Sequence, residues 1–256
     1  MEDIKVYVTT HKETDIINKK ITSIYQKLFV GAENKIIPEG YLSDSFPGGI
    51  SHKNKNYSEL TGQYYIWKNA NAKIVGLIHY RRILSKSKSN FFYKALNEKQ
   101  IKKALSKADV IVPKREKMLR HTVESYYSKA HYKKDYEIIR EIISEKHPDY
   151  VEAFEKVSNQ KHLFLANILI TKKEYFDQYS EWLFSVLFEL EKRSDITSYD
   201  SYQARIYGFI SERLINVWIE KNNLKVKEYR MINLDQNQLL FKLKKVRYKI
   251  MEFFEK

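Results

Sequence analysis

Short apolar runs alternate along the chain with longer amphipathic segments. Residues 4–9 alternate as in a half-buried strand, and apolar runs of strand length stand at 74–80, 109–112 and 165–171. Other segments repeat apolar residues every three or four positions and predict helices, at 14–30, 57–70, 97–108, 114–162, 174–193 and 202–222. This alternation predicts an α/β fold with a mostly parallel sheet flanked by helices, and a helical C-terminal part.

Polar and cationic side chains follow two of these strands. Thr10 and His11 follow the first strand, and the strand at 74–80 runs into a cluster of charged and aromatic residues, His79, Tyr80, Arg81 and Arg82. Ligands of open α/β sheets bind beyond the carboxyl ends of the strands, and arginine suits anions such as a diphosphate. We therefore predict an anion site at this edge of the sheet. The alternative is a strand end with solvated arginines.

A long polar segment at residues 38–56 carries Asp44 and two adjacent glycines, Gly48 and Gly49. Its proline and glycine content predicts a loop, and long loops inside compact domains are often functional. This loop is expected either to close over a bound ligand or to be an ordinary surface loop.

The charge of the chain narrows the classes of partner. Its 256 residues are 43% hydrophobic and 30% charged, and the net charge is +14. Such a charge suits nucleic acid, an anionic membrane surface or a phosphorylated substrate. The absence of cysteine excludes disulfides and thiolate metal sites. We see neither a signal peptide nor an apolar run of the ~20 residues that a membrane span needs, and expect a cytoplasmic protein, peripheral at the inner face of the cell membrane.

The end of the chain differs from the rest. Residues 231–256 mix lysine and arginine with leucine and phenylalanine, whereas residues 1–230 carry the α/β pattern. We predict two parts, an α/β domain and a basic amphipathic helix that lies on an anionic bilayer. The alternative is a C-terminal helix that packs on the domain and exposes its basic face to solvent.

Several well-known site motifs are absent from the sequence. It contains no GxxxxGK[ST] loop, no GxGxxG, no HExxH and no GxSxG, and its histidines show no paired metal-ligand spacing. It also lacks an Asp-x-Asp pair, which many nucleotide-sugar enzymes use to hold manganese or magnesium on the donor diphosphate. The sequence leaves a divalent metal, manganese or magnesium, open without this motif, and cationic side chains are expected to neutralise much of any bound diphosphate.

Four segments together resemble a known family. They are ELTGQYYIWKN at 59–69, VGLIHYRR at 75–82, the aromatic helix at 182–191, and YDSYQARIYGFISERL at 199–214. In these segments the chain is similar to the glycosyltransferases of capsular and exopolysaccharide biosynthesis, a former domain of unknown function associated with galactofuranosyl transfer. The resemblance spans roughly residues 3–222 and leaves the tail outside.

The resemblance implies a fold and a reaction. The fold would be a GT-A-like, Rossmann-type α/β domain. The reaction would be an inverting transfer of a sugar, in this family galactofuranose, from a UDP donor to a growing glycan or a polyprenyl-diphosphate-linked acceptor. Such a transfer needs a carboxylate base near the acceptor hydroxyl. We select Asp200 and Glu212 as candidates for this base, although Asp200 is equally suited to capping the helix that follows it.

The remaining candidate residues fall into two groups. Those expected at the donor are Thr10, His11, Asp44, Glu59, Thr61, His79, Tyr80, Arg81, Arg82 and Asn167. Those expected at the acceptor are Gln203, Arg205, Tyr126 and His131, although helical packing explains Tyr126 and His131 equally well. Two other functions compete with sugar transfer. The charge of +14 suits a nucleic-acid-binding protein, but no binding motif is present and we expect no nucleic-acid partner. The basic tail suits a non-catalytic, membrane-docked scaffold of a polysaccharide assembly complex.

Overall fold

The computed structural model describes residues 3–89 and 91–235. Its strands, in chain order, are β1 (Ile4–Thr10), β2 (Tyr25–Phe29), β3 (Leu42–Ser43), β4 (Ile74–His79), β5 (Arg82–Ser85), β6 (Val110–Pro113), β7 (Glu116–Lys117), β8 (His162–Leu163), β9 (Leu169–Lys172) and β10 (Val226–Asn233). Its α-helices are α1 (Asn54–Tyr57), α2 (Leu60–Asn69), α3 (Glu98–Leu105), α4 (Val123–Ala130), α5 (Lys133–Lys146), α6 (Val151–Asn159), α7 (Lys173–Arg193) and α8 (Ile206–Lys221).

Parallel strands build the N-terminal half of the main sheet, in the order β3-β2-β1-β4. The carboxyl ends of these strands meet at one edge, where Thr9 of β1 lies opposite His79 of β4. The predicted parallel sheet is confirmed here, and the residues that follow β1 and β4 are brought side by side.

The other half of the sheet is largely antiparallel, which differs from the predicted arrangement. Strand β9 runs antiparallel to both β4 and β6, and β10 runs antiparallel to β5 but parallel to β6. Because β5 also pairs with β4, strands β4, β5, β10, β6 and β9 close into a ring. Strands β5 and β10 were not expected. Most residues of β10 are only partly buried, so its sequence lacks a clear apolar signal.

Two hydrophobic cores cover the two faces of the sheet. Alternate residues of β1 divide between them, because side chains point to opposite faces along a strand. Tyr7 faces a large core with α2 and α4 to α8, whereas Val6 and Val8 face a smaller core with α3. The fold is therefore a mixed α/β sheet between helical layers, as the alternating pattern predicts.

The helix predicted at residues 14–30 is wrong. A single 3-10 turn at Asn18–Lys20 is followed by β2, whose Tyr25 pairs with Val6 of β1. The segment is rich in isoleucine and threonine, and β-branched side chains are tolerated poorly in helices and well in strands. Pairing with β1 buries Tyr25 and Leu28 and decides the outcome.

The C-terminal boundary also differs. Residues 231–233, which we assign to the basic tail, are the end of β10. The rest of the predicted amphipathic helix, residues 236–256, lies outside the described residues. Among the residues that are described, no helix combines the length and the apolarity needed to cross a membrane.

Candidate active site

A cleft of about 300 Å³ opens at the carboxyl edge of the parallel strands. The ends of β1 and β4 form one side, and the residues before α2 and before α8 form the other. Its lining side chains are Thr9, Thr10, His11, Val30, Asn54, Lys55, Ser58, Glu59, His79, Tyr80, Arg81 and Arg205. The cleft therefore brings together Thr10, His11, Glu59, His79, Tyr80, Arg81 and Arg205 from the residues selected in the sequence.

Positive charge surrounds this cleft. The pKa of His11 is lowered, first by partial burial and then by the cations Lys12, Arg81, Lys35 and Arg205. Four cations that act on one imidazole produce a positive local field. Clefts lined by one sign of charge concentrate ligands of the opposite sign, so an anion is favoured here.

Arg81 is held in place by its neighbours. Its guanidinium lies 5.3 Å from the centre of the Tyr80 ring, and that ring packs edge-on against His11 at 5.7 Å. The Arg81 carbonyl accepts a hydrogen bond from the backbone of Leu234, and its Nη1 lies 3.3 Å from Oδ2 of Asp235. Both charged side chains are partly exposed, and such pairs contribute about 0–1 kcal/mol. A phosphate can therefore replace Asp235 at little cost.

Arg205 reaches the cleft from the 3-10 turn that precedes α8. Its Nε donates a 2.9 Å hydrogen bond to Oγ of Ser58. Ser58 adopts a φ of 52°, and Ala166 and Asn167 beside the cleft have φ values of 78° and 47°. Backbone conformations of this kind are unfavourable for non-glycine residues and collect at functional sites, where surrounding contacts hold them.

Glu59 provides the carboxylate among the side chains that line the cleft. Its Oε1 accepts a 2.6 Å hydrogen bond from Nδ2 of Asn167, which also donates to the Gly208 carbonyl at 3.1 Å. The same Oε1 lies 3.9 Å from Nε2 of His79. The Glu59 and His79 side chains are only 12% and 14% exposed. This carboxylate is thus oriented by the protein and partly shielded from water.

His79 is held neutral. Its pKa is lowered to about 3, first by burial and then by the charge of Arg82, although a hydrogen bond with the Ala166 backbone acts in the opposite direction. Within the described residues, His79 Nε2 and Asn167 Oδ1 are buried and have no hydrogen-bond partner. Buried polar atoms are almost always paired, so two such atoms on residues next to Glu59 indicate a place for polar ligand groups.

Asp200 and Glu212, the candidates for the base, do not line the cleft. The Asp200 carboxylate accepts hydrogen bonds from the backbone N–H groups of Tyr202 and Gln203, both at 2.8 Å, and so caps the turn that leads into α8. Oε1 of Glu212 accepts from the backbone of Ala166 at 2.9 Å, and burial raises the pKa of this carboxyl. Glu212 therefore supports the strained segment beneath Glu59.

Two residues expected at the donor are buried supports. Asp44 accepts hydrogen bonds from the backbone N–H groups of Gly31 and Ala32 at 2.9 and 3.0 Å, so it fixes the turn after β2. Thr61 donates to the carbonyl of Ser58 at 3.3 Å from the first turn of α2. Neither the Asp44 carboxylate nor the Thr61 hydroxyl lines the cleft, and both instead stabilise backbone segments next to it.

Four further candidates, Arg82, Gln203, His131 and Tyr126, do not line the cleft. Arg82 is opposite His79 at the start of β5 and acts on that ring by its charge. Oε1 of Gln203 accepts a 2.9 Å hydrogen bond from Nδ1 of His131, and its Nε2 donates to the carbonyl of Ala130. Tyr126 packs partly buried against the large core. Of the residues expected at the acceptor, Arg205 is the one that lines the cleft.

Sequence reasoning missed part of this site. Asn54, Lys55 and Ser58 line the cleft but were not selected. Asn167 was selected for the sugar, yet its amide instead orients Glu59. No residue type marks a serine that must adopt a positive φ, so Ser58 carried no sequence signal.

The cleft does not provide a ready set of metal ligands. Over residues 3–89 and 91–235, no group of three or more histidine, aspartate or glutamate side chains is placed to hold a metal ion. Glu59 and His79 are two potential ligands that lie close together in the cleft, but one Glu59 oxygen already accepts a hydrogen bond from Asn167. In this cleft, cationic side chains are therefore the groups that can bind an anion.

Comparison with known proteins gives two findings. The family model described as a domain of unknown function, DUF4422, matches residues 5–223. The chain is also similar to the apo structure of the WbbM bifunctional glycosyltransferase, with 28% sequence identity and a TM-score of 0.81. The similarity covers 92% of this chain and 46% of that one, so the chain spans about half the length of the solved structure. No curated protein matches.

Proposed function

The chain belongs to the DUF4422 family of domains of unknown function, and from that premise we propose that it is a glycosyltransferase. The similarity to WbbM supports this proposal, and the observation that carries it is the cleft itself. Transfer from a sugar diphosphate requires cations to bind the diphosphate and a carboxylate to act as base. The cleft has both, with the cations at its mouth and one oriented carboxylate inside. The proposed fold type is GT-A, with the donor at the carboxyl edge of the parallel strands.

Arg81 and Arg205 are the proposed partners of the donor diphosphate. They approach from opposite walls, and Lys55 adds a third cation among the lining residues. As the bond between the sugar and the diphosphate breaks, negative charge grows on the leaving group. Prearranged cations stabilise that charge, and the loss of one such contact costs about 3–4 kcal/mol of activation free energy.

Glu59 is the proposed base, in place of Asp200 and Glu212. In a single displacement its carboxylate takes the proton of the acceptor hydroxyl, the acceptor oxygen bonds to the anomeric carbon, and the diphosphate leaves with the electrons of the broken bond. The configuration at that carbon is inverted. Neutral His79 keeps a buried nitrogen beside Glu59, suited to a sugar hydroxyl.

The proposal also covers the donor and the acceptor. The donor is UDP-galactofuranose, as the resemblance of the sequence implies, and the acceptor is a glycan or a polyprenyl-diphosphate-linked glycan. A lipid-linked acceptor would place the protein at an anionic membrane surface, on the cytoplasmic side where nucleotide sugars are present. Capsular or exopolysaccharide synthesis is the corresponding process.

A donor titration tests the proposal. Calorimetry with UDP, UDP-galactopyranose, UDP-galactofuranose and UDP-glucose, with and without manganese, would identify the nucleotide, the sugar and any metal requirement. Arg81→Ala should weaken UDP binding by about tenfold or more. Arg115→Ala is the matched control, since Arg115 is similarly exposed (39% against 46%) and also pairs with one carboxylate, but lies outside the cleft.

The outcomes separate the competing functions. Binding of UDP that is lost in the Arg81 variant and kept in the Arg115 variant would support donor binding in this cleft. Equal binding by both variants would remove Arg81 from the donor site. A wild-type protein that binds none of these donors but retains RNA or DNA at low salt would favour the nucleic-acid alternative, and turnover of any donor would exclude the non-catalytic scaffold.

A further inference from the structure

Two adjacent phenylalanines lie in solvent on one loop after β5. Phe91 is 74% exposed and Phe92 is 84% exposed. Isolated apolar residues are normal on a surface, but neighbouring exposed aromatic rings indicate an interaction site. Three exposed lysines, Lys86, Lys88 and Lys94, flank them. We call residues 86–89 and 91–94 the aromatic loop.

The aromatic loop is held by specific hydrogen bonds. Oγ of Ser89 accepts from the backbone N–H groups of both phenylalanines at 3.1 and 3.0 Å, and Oγ of Ser87 donates to the Phe92 carbonyl at 2.6 Å. Arg230 of β10 donates to the carbonyls of Lys88 and Ser89 at 2.9 and 2.8 Å. The rings are therefore presented by an organised turn, which lowers the entropic cost of docking.

The charge of the aromatic loop is entirely positive. Residues 86–94 contain three lysines and no aspartate or glutamate. Within the part of the chain that the structure describes, none of these three lysines forms an ion pair with a carboxylate. Their charges can therefore bind anionic groups of a partner, while the adjacent phenylalanine rings contact an apolar part of the same partner.

The aromatic loop also leads away from the cleft. Strand β5 begins with Arg82, opposite His79, and runs antiparallel to β4. The loop follows the other end of β5, whereas the cleft lies at the carboxyl edge of β4. A surface that covered the aromatic loop would leave the cleft open to ligands.

We propose that the aromatic loop docks the protein on an anionic lipid bilayer. Phe91 and Phe92 enter the boundary between headgroups and acyl chains, and Lys86, Lys88 and Lys94 contact lipid phosphates. Bilayers combine an apolar layer with a charged surface, which matches this loop. Single-stranded nucleic acid is usually held in grooves that stack the bases, whereas these rings protrude. This docking surface is independent of the sugar-transfer chemistry and of residues 236–256.

A site-specific label tests the proposal in the full chain. The sequence has no cysteine, so Phe91→Cys provides a single attachment point for a polarity-sensitive fluorophore. With vesicles of phosphatidylcholine and phosphatidylglycerol, its emission should shift to the blue and be quenched by brominated lipids. Ile36→Cys is the control, because Ile36 is 96% exposed and follows β2 near the cleft edge. A label at Ile36 should keep its aqueous emission.

Binding measurements complete the test. Phe91→Ser with Phe92→Ser should weaken partition to these vesicles by about tenfold or more, and Lys88→Gln by about fivefold at low salt. Ile36→Ser should leave partition unchanged, with all melting temperatures equal. A label at residue 91 that stays in water while the protein sediments with vesicles would overturn the proposal. So would a phenylalanine variant that loses self-association or RNA binding and keeps its vesicle binding.

Discussion

Oε1 of Glu59 lies 3.9 Å from Nε2 of His79, although the two residues belong to different elements. Glu59 immediately precedes α2, and His79 ends β4. The pair places an oriented carboxylate beside a neutral imidazole, at the end of a cleft whose mouth is cationic. This relationship leads us to propose Glu59 as the base.

Removing the charge of Glu59 should stop turnover without unfolding the protein. Glu59→Gln keeps the shape and one acceptor for Asn167 but cannot take a proton, so we expect kcat to fall by about 10²–10⁴. Donor-dependent turnover and the melting temperature are the measurements. Glu189→Gln on α7, which pairs with Arg193 and does not line the cleft, is the control for loss of a carboxylate. Turnover that survives in Glu59→Gln would refute the assignment.

Asp200 should behave as a cap. Asp200→Ala removes the acceptor of two backbone N–H groups, so we expect a loss of about 1 kcal/mol in the free energy of unfolding. Asp200→Ser should restore most of that stability. At a temperature where all variants are folded, turnover should be nearly unchanged. A loss of turnover comparable to that of Glu59→Gln would instead return Asp200 to the catalytic machinery.

The buried His79 should make stability depend on pH below neutrality. Its pKa falls from 6.5 to about 3 on folding, so between these values the unfolded chain binds more protons than the native protein. The free energy of unfolding therefore has its full value, as far as His79 is concerned, above pH 6.5. It falls as the pH is lowered below 6.5, by up to about 1.4 kcal/mol per pH unit. Urea unfolding between pH 4 and pH 8, by about one-unit steps, measures the slope. His79→Gln should flatten it, and an unchanged slope would show that other groups carry it.

Gly62 should be required for the approach of α2 to the strand ends. A Cβ there would lie 2.6 Å from Cγ2 of Thr9 and 3.0 Å from Cγ1 of Val30, and both neighbours are stiff β-branched residues. We expect Gly62→Ala to cost about 1–3 kcal/mol of stability. Gly208→Ala in α8 is the matched control, because its new Cβ would meet its nearest neighbour, Ser58, at an ordinary 3.6 Å. Equal melting temperatures for the two variants would contradict this packing argument.

Most helices and strands that can be recognised from their own residues alone were predicted from the sequence. The amphipathic period predicts α7 and α8, and the apolar runs predict β1, β4 and β6, because burial of one face follows from the order of residues. The segment at 14–30 failed because its apolar spacing fits a helix while its pairing partner, β1, is distant in sequence. Strand β9 begins only at Leu169, since Ala166 and Asn167 turn the backbone away from the extended conformation.

By itself, the sequence determined the α/β class, the positive charge and the cluster of residues at 79–82, because these follow from composition and from neighbours along the chain. Only the tertiary structure decided which carboxylate faces the cleft. Asp200, Glu212 and Glu59 are equally acidic in the sequence, but backbone N–H groups engage the first two, whereas Asn167 turns Glu59 towards His79. The contacts of Asn167 with Glu59 and of Ala166 with Glu212 join residues 108 and 46 positions apart, so no local pattern encodes them, whereas those of Asp200 lie within three residues.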